Sequence, residues 1–247
     1  MFIRIFTLLF IILLSTTFSF SDSDIADDDL FLELSESSPS SSSSQNVVYD
    51  PLRGYNQFMT GVNDVAYTYF FIPTAKGFGY VVPKPIRRGI SNVFTNLFSP
   101  IRLANSLLQL KPRNAGVELA RFTVNSTIGV AGLFDPASHW FNLKPVPRED
   151  FGQTLGKLGV KSGPFIVLPI LGPSNLRDSV GMITDAVFDP INLTDAISDG
   201  MEIRLIRVFN EVSLNPDEYD TVKGASLDFY SFMRDSYTQR RNHQILE

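Results

Sequence analysis

Hydrophobic residues recur every three or four positions along most of the chain, which is the spacing that places them on one face of a helix. The clearest stripe covers residues 86–108 and predicts one amphipathic helix that Pro100 kinks near its middle. Similar stripes predict a helix that begins near Tyr55 and is ended by Pro73, and another over residues 117–131. No stretch alternates as a strand would, so the predicted fold class is all-α.

The second half of the chain predicts further helices. Ser174 is a good N-cap for a helix that continues to Ala186 and is broken at Asp189-Pro190. Residues 191–212 also have a helical pattern. Asn215-Pro216, followed by acidic residues, predicts the start of a last helix that runs to about residue 240.

A stretch rich in glycine and proline, residues 152–178, lies between these helices. Its first glycines are three or four residues apart, so a helical turn here has a face without side chains, where another backbone or a lipid tail can come close. The apolar run 165–171 follows. A helix needs about 20 residues to cross a bilayer, so this run is too short, and its prolines argue against a central strand.

Two interpretations of this run stay open: a segment that dips into an apolar medium and returns, and a buried loop of an ordinary soluble core. A moving element needs hinge residues, and clusters of glycine and proline are suited to that role. The candidate hinge and channel residues are Gly152, Gly156, Gly159, Gly163, Pro164, Pro169, Gly172 and Pro173.

The first 45 residues differ from the rest. Arg4, a hydrophobic run over 5–14 and the small residues of Ser19-Phe20-Ser21 predict a signal peptide over residues 1–21, with an uncleaved anchor as the alternative. Residues 22–45 are acidic and then rich in serine, which predicts a disordered tether. The predicted helical domain is therefore residues 46–247.

Composition excludes several classes of function. The net charge of −5 is concentrated in the acidic tether, and the remainder is nearly neutral, so no nucleic-acid partner is expected. The chain has no cysteine and two histidines, which excludes thiolate chemistry and cysteine zinc sites. Glu149-Asp150 is interpreted as an exposed acidic pair and Asp135-Pro136 as a turn start. With no converging acid, base and nucleophile, we expect neither an enzyme nor a cofactor.

What remains is a phenylalanine-rich helical body with wide apolar faces and no single spanning run. Helices that lie in the plane of a membrane have this profile. The alternative is a soluble bundle whose apolar stripes face each other, acting as a periplasmic binding or scaffolding module.

Four motifs resemble those of the MlaA/VacJ family, in the family's order and spacing, within residues 49–193. They are Tyr49-Asp50-Pro51-Leu52-x-Gly54-Tyr55-Asn56, the run from Val82-Pro83 to Ser91-Asn92, Arg121-Phe122-x-x-Asn125, and the stretch from Phe151-Gly152 to Arg177-Asp178. The motif residues carried over are Asp50, Pro51, Gly54, Asn56, Arg87, Asn92, Arg121, Asn125, Arg177 and Asp178.

The resemblance implies an α-helical ring embedded in the inner leaflet of a Gram-negative outer membrane. It also implies a central amphipathic channel through which misplaced outer-leaflet phospholipid passes to a periplasmic lipid-carrier protein, without covalent chemistry, and association with a trimeric porin. This chain departs from the family in one respect. Members are typically anchored through an acylated cysteine, which this sequence lacks, so anchoring falls to the ring's apolar belt or to a retained signal segment.

Overall fold

The computed structural model describes residues 48–191 and 197–247, and side chains within the second range from residue 203 onward. The predicted signal peptide and tether lie outside the described residues. The helices are α1 (Arg53–Ala66), α2 (Ile72–Val81), α3 (Lys84–Leu97), α4 (Ser99–Leu108), α5 (Pro112–Thr127), α6 (Pro136–His139), α7 (Phe151–Lys157), α8 (Leu176–Val187), α9 (Ile197–Leu214), α10 (Glu218–Ala225) and α11 (Phe229–Leu246). The all-α prediction is confirmed, with one small hairpin added, β1 (Phe165–Leu168) and β2 (Gly172–Asn175).

The prediction that Pro73 ends the first helix is wrong. A π-helical turn, Tyr67–Phe71, joins α1 directly to α2, and Pro73 is the second residue of α2. A proline is tolerated in the first turn of a helix, where its missing N–H has no obligatory partner. The wider π turn lets α2 begin with a first turn of its own, where Pro73 is tolerated, while the chain continues as a helix.

The helix predicted over residues 86–108 is two helices, α3 and α4. The break is at Phe98, with φ −87° and ψ −2°, two residues before the predicted kink at Pro100. Pro100 is the second residue of α4, so the bend is placed ahead of the proline rather than at it. A proline has no N–H to donate to the carbonyl four residues before it, and its ring crowds that carbonyl, so the preceding helix ends ahead of Pro100.

Two predictions in the second half are also wrong in detail. The N-cap of α8 is Asn175, whose side chain accepts from the backbone N–H of Asp178, because Ser174 is held in β2 opposite Ile166. The predicted last helix is divided into α10 and α11. Asp228 begins α11 by accepting from two backbone N–H groups, so the chain stops and restarts there.

The strand within the 165–171 run was not predicted, although the argument from prolines against a central strand holds, because this sheet has only two strands. The strands are antiparallel, and Val167 is opposite Pro173. The N–H of Val167 donates away from β2, to Asn56 Oδ1 at 2.8 Å. At this pair the two backbones do not exchange hydrogen bonds. Because of this, the N–H that Pro173 lacks leaves no carbonyl of β1 without a partner, as expected for a strand at a sheet edge.

Two asparagines of α1 bind the free edge of this hairpin. Asn56 accepts from Val167 N and donates to the carbonyl of Phe165 at 3.1 Å. Asn63, two helical turns later, donates to the carbonyl of Leu168 at 2.9 Å and accepts from Ile170 N at 2.6 Å. Each carboxamide thus satisfies one backbone donor and one acceptor, as a neighbouring strand would.

The apolar side chains of β1 are buried within the protein. Phe165 and Val167 are 2% and 0% exposed and pack with Tyr230 and Tyr237 of α11. The interpretation as a buried segment is therefore correct for these residues, and the one in which the run dips into an apolar medium is wrong for them.

Contacts between neighbouring elements close into a circuit. The π turn joins α1 to α2, α2 packs against α9, and α9 contacts α3. From there α3 contacts α4, α4 contacts α7 and α7 packs on α8. The hairpin completes the circuit, because β2 contacts α8 and β1 contacts α1. Outside this circuit, α5 packs along α4, and α11 contacts both α7 and β2.

Replacing Asn56 by alanine tests whether α1 holds the hairpin in place. The change leaves the buried carbonyl of Phe165 and the N–H of Val167 without a hydrogen-bond partner, and each unsatisfied group costs about 1–3 kcal/mol of folding stability. We expect a clear fall in the thermal unfolding temperature of the detergent-solubilised protein. The neighbouring exposed residue supplies the control, because Gln57→Ala removes a side chain without a buried partner. Equal melting of both variants contradicts the role of Asn56.

Candidate functional site

The distribution of polarity is inverted relative to a soluble bundle. Among the described residues, buried polar or charged residues are more than twice as numerous as buried hydrophobic ones. Large hydrophobic side chains are exposed several times more often than they are buried. Soluble proteins leave most charged residues outside, and extended exposed apolar surface marks contact with a membrane or another protein. The apolar stripes found in the sequence do not face each other.

The same division separates the two faces of single helices. On α1, Asn56 and Asn63 are buried, whereas Phe58 is 68% and Val65 57% exposed. The same holds for α4, which buries Ser99, Arg102, Asn105 and Ser106 and exposes Leu107 and Leu108. It also holds for α8, which buries Arg177 and Asp178 and exposes Val180, Ile183 and Val187. The interior that the helices enclose is therefore polar, and that interior is the candidate site.

One group of interior residues surrounds the carboxylate of Asp178. Arg177 and Arg241 pair with it at 2.8 and 2.9 Å, and the hydroxyl of Tyr237 donates to it at 2.6 Å. Arg241 also binds Asp150 through both terminal nitrogens, at 2.7 and 3.0 Å. Burial acts to raise the pKa of Asp178, but the hydrogen bond and charge of Arg241 outweigh it, so the pKa is lowered overall.

A second group surrounds Asp135 at the start of α6. The predicted turn start is confirmed, since the Asp135 side chain accepts from Ser138 N and begins α6. Arg121 and Asn125 of α5 both donate to the same carboxylate, at 3.0 and 2.9 Å. Asn125 also accepts from the backbone of Ala137 at 3.1 Å. Two residues of one family motif thus fix the loop that follows α5.

The remaining motif residues lie elsewhere in the fold. Asp50 accepts from Asn56 at 2.7 Å and from the hydroxyl of Tyr230. Arg87 donates to the carbonyl of Ser213, which ties α3 to α9. The other motif positions are Pro51 and Gly54, both exposed, and Asn92, whose amide reaches the carbonyl of Leu133 at 3.5 Å. The ten residues therefore form several separate clusters rather than one site.

The glycines allow a close approach of two helices at one point. A methyl group at Gly181 of α8 would lie 2.3 Å from the nitrogen of Gly152 of α7, so only hydrogen fits there. A methyl group at Gly156 would lie 2.7 Å from Ile245 of α11. This agrees with the predicted side-chain-free face of the turn, although the backbone that comes close belongs to the protein itself.

The other candidate hinge residues lie along the chain between α7 and α8. Gly159, Gly163 and Gly172 have φ of +87°, +71° and +80°, values that side chains rarely adopt. Pro164 accepts from Leu176 N, and Pro169 accepts from Leu171 N at 2.7 Å in the tight turn of the hairpin. Pro173 lies in β2. Their role as hinges stays a prediction.

Sequence reasoning missed several interior acids. The prediction that Glu149 is exposed is wrong, since Glu149 is 3% exposed and pairs with Lys111 at 2.7 Å. The side chain of Asp150 is 42% exposed, as predicted, but it is ion-paired with Arg241. Glu118, like Glu149, is buried, against Arg102. The sequence contains part of this information, because charged residues of α4 and α5 recur on the same helix faces as the asparagines and serines of these helices.

None of the helices in the described part of the chain is both long and apolar enough to cross a membrane.

Asp185 makes the stability of this interior depend on pH. Burial raises the pKa of Asp185 to about 6, although Phe151 N and the Asn105 amide donate to its carboxylate. Because the pKa of Asp185 is higher in the folded than in the unfolded protein, its contribution to stability is complete below the unfolded pKa. That contribution is lost as the pH rises through about 6. This rise in the pKa of Asp185 corresponds to about 3 kcal/mol of folding stability.

We expect Asp185→Asn, an uncharged analogue, to flatten the dependence of thermal stability on pH between about pH 4 and pH 7. Unfolding of the detergent-solubilised protein across that range measures it. The exposed acid of α10 provides the control, and Asp220→Asn should keep the slope of the wild type. A slope that persists in Asp185→Asn assigns the pH dependence to another group.

Comparison with known proteins adds to this geometry. The model of the family described as "MlaA lipoprotein" matches residues 48–244. The "Intermembrane phospholipid transport system lipoprotein MlaA" of Haemophilus influenzae is 36% identical over 140 residues, which are 56% of this chain and 56% of that protein. The protein of the same name from Shigella flexneri is 32% identical over 212 residues, 82% of this chain and 81% of its own length.

A solved structure has the same fold. It comes from work described as "Structural basis for maintenance of bacterial outer membrane lipid asymmetry" and superposes with a TM-score of 0.70 at 29% sequence identity, covering 79% of this chain and 98% of that one. The family match over residues 48–244 includes the hairpin, the asparagines that bind it and most of the last helix. The chain belongs to the MlaA lipoprotein family.

Proposed function

We propose that this protein lies in the periplasmic leaflet of a Gram-negative outer membrane. There it removes mislocalised phospholipid from the outer leaflet and so maintains lipid asymmetry. One observation carries the proposal: most of the buried side chains of the described residues are polar, and most of their large hydrophobic side chains are exposed. A surface of this kind is stable against acyl chains, and a polar interior suits a headgroup that has to pass through hydrocarbon.

The closed circuit of contacts supports a ring with a central channel. Helices in the plane of one leaflet, joined end to start, form a wall that is apolar outside and polar inside. A phospholipid at such a wall keeps its tails in the membrane and its headgroup among polar side chains. The movement needs no covalent change, so no catalytic group is required, and the relatives are named as transport lipoproteins rather than enzymes.

The partners follow from the family rather than from the contacts of this chain. We infer that lipid is handed to a periplasmic lipid-carrier protein and that a trimeric porin holds the ring in the outer membrane. The organisation into signal peptide (1–21), tether (22–45) and helical domain (46–247) fits export to that site. The glycines and prolines between α7 and α8 are the candidate hinges of a channel that opens and closes.

The second candidate, a soluble periplasmic scaffold, requires the apolar stripes to be covered. Tyr69 is 78% and Tyr80 92% exposed, on the π turn and on α2, whose buried side is already formed by Phe71, Ile72 and Ala75. Water in contact with so much apolar surface is unfavourable, at about 25 cal/mol per Å². The membrane protein is therefore the better supported of the two.

The function is tested in a bacterium from which this protein has been deleted. We expect phospholipid to accumulate on the outer face of the outer membrane and to return to the original level when the full chain is restored. Labelling of intact cells with a reagent that reacts with amine headgroups and does not enter the membrane measures it. An unchanged outer face in the deletion strain would argue for the scaffold.

Phe58→Asp tests which surface meets lipid. If Phe58 contacts acyl chains, an aspartate there meets hydrocarbon, at a cost of a few kcal/mol that depends on depth. We expect the variant to be released from membranes by high-salt and carbonate washes, while its helical content in detergent is unchanged. Phe58→Leu, which keeps the position apolar, should behave as wild type. Retention of Phe58→Asp in washed membranes contradicts lipid contact at this face.

A further inference from the structure

The loop between α5 and α6, residues 128–134, has no polar side chain, since its sequence is Ile-Gly-Val-Ala-Gly-Leu-Phe. Between Arg121 and Lys144 the only acidic or basic side chains are His139 and Asp135, and Asp135 is paired with Arg121 at the end of the loop. The large hydrophobic residues exposed in this segment are Ile128, Val130, Leu133, Phe134, Trp140 and Phe141. An exposed apolar segment with so little charge marks a surface that something other than water covers.

The backbone of this loop forms most of its hydrogen bonds internally. Six of the seven N–H groups of residues 128–134 donate to carbonyls of the loop itself or of the last turn of α5, at 2.8 to 3.2 Å. Water can satisfy the backbone of an ordinary surface loop, so such a loop has no need of this pairing. Hydrocarbon contains no water, and each unpaired N–H is unfavourable there. The loop therefore fulfils the condition under which irregular backbone can contact acyl chains.

This pairing requires an unusual backbone conformation. Val130, Ala131 and Gly132 are three successive residues with positive φ, of +56°, +57° and +92°. Valine is branched at Cβ and is strained in this region, which asparagine, aspartate and glycine adopt more readily. Core packing does not explain a valine at this position, because its side chain is exposed. An apolar residue in this conformation is favourable where the surrounding medium is itself apolar.

Contacts at both ends of the loop hold it in place. A methyl group at Gly132 would lie 2.4 Å from Cβ of Asn96, so the loop packs directly against α3. The N–H of Gly132 donates to the carbonyl of Asn125, and the side chain of Asn125 donates to Asp135. The loop is thus a fixed part of the fold, and its apolar side chains are presented without a further loss of backbone entropy.

Trp140 and Phe141 extend the same apolar segment beyond α6, which is a single turn about 6 Å long. Trp140 is the only tryptophan of the chain, and it is 72% exposed. Tryptophan is enriched at the level where acyl chains meet headgroups. Lys144 is exposed just after Phe141, and a lysine there can extend its ammonium group toward the headgroups. The order of residue types along the segment fits a membrane better than a protein partner.

We propose that the loop 128–134, together with Trp140 and Phe141, inserts into the acyl chains of the membrane leaflet and anchors this protein there. The proposal rests on the proposed function for the membrane location. Such an anchor does not depend on a cysteine, which this sequence lacks although its relatives are named lipoproteins. A protein partner that covers the same surface is the alternative, and the test distinguishes the two.

The single tryptophan allows a direct test in the full chain. The protein is reconstituted into vesicles of phosphatidylethanolamine and phosphatidylglycerol that also contain phosphatidylcholine brominated deep in its acyl chains. We expect the fluorescence of Trp140 to be quenched strongly by this bromine and weakly by iodide added to the water. Quenching by iodide and not by bromine overturns the proposal, and it is the result expected if a protein partner covers the loop in the cell. Quenching by neither reagent overturns it as well, because Trp140 is then covered by protein.

Val130→Asp is the variant that tests the loop itself. Because aspartate adopts a positive φ more readily than valine, we expect the variant to unfold in detergent at or above the wild-type temperature. Its charge is unfavourable in hydrocarbon, so quenching of Trp140 by acyl-chain bromine should fall about threefold or more. Leu110→Asp is the matched control and should be quenched as wild type, since Leu110 is also exposed, with φ +58°, but lies outside the loop beside Lys111. Equal quenching of Val130→Asp and wild type contradicts insertion of the loop.

The deletion strain separates this proposal from the transport function. If the wild type restores lipid asymmetry but Trp140 is quenched only by iodide, the transport function stands and the anchor fails. If Trp140 lies among the acyl chains but the wild type does not restore asymmetry, the anchor stands and the transport function fails.

Discussion

The rest of this structure depends on one constraint: an interior made of polar groups has to satisfy its own hydrogen bonds. Charges removed from water are unfavourable unless each is paired. The pairs Arg102–Glu118, Lys111–Glu149 and Arg241–Asp178 meet this requirement, and each joins two different elements. Positions in the fold are thus specified by directional contacts, and the apolar residues are left free to face outward.

The hairpin shows how far that principle extends. Its outer edge is bound by the side chains of Asn56 and Asn63 rather than by a third strand, so a helix and a strand are joined by hydrogen bonds across their polar faces. The opposite face of the same helix carries Phe58 and Val65. One helix therefore serves both the interior and the outer surface, which allows a wall only one helix thick.

Much of the helical fold could be predicted from the spacing of hydrophobic residues, because spacing reports which residues share a face. It does not report which face points inward. The burial of Glu149 and the ion pair of Asp150 could not be predicted because their partners, Lys111 and Arg241, are 38 and 91 residues away. The strands were missed for the same reason, since the asparagines that bind β1 are more than 100 residues earlier. Predicted helix boundaries are wrong where a neighbouring residue caps the helix, as Asn175 does in place of Ser174.

The last helix has a consequence for how the protein is made. Tyr230 of α11 binds Asp50, at the other end of the described chain, and Arg241 binds Asp150 and Asp178 in its middle. A chain that is synthesised from its N-terminus presents these acids, and the apolar faces beside them, before α11 has been made. Contacts of such high sequence separation form late and slowly. Folding therefore cannot be completed until α11 is available, and until then the apolar faces of the unfinished chain are exposed to aggregation.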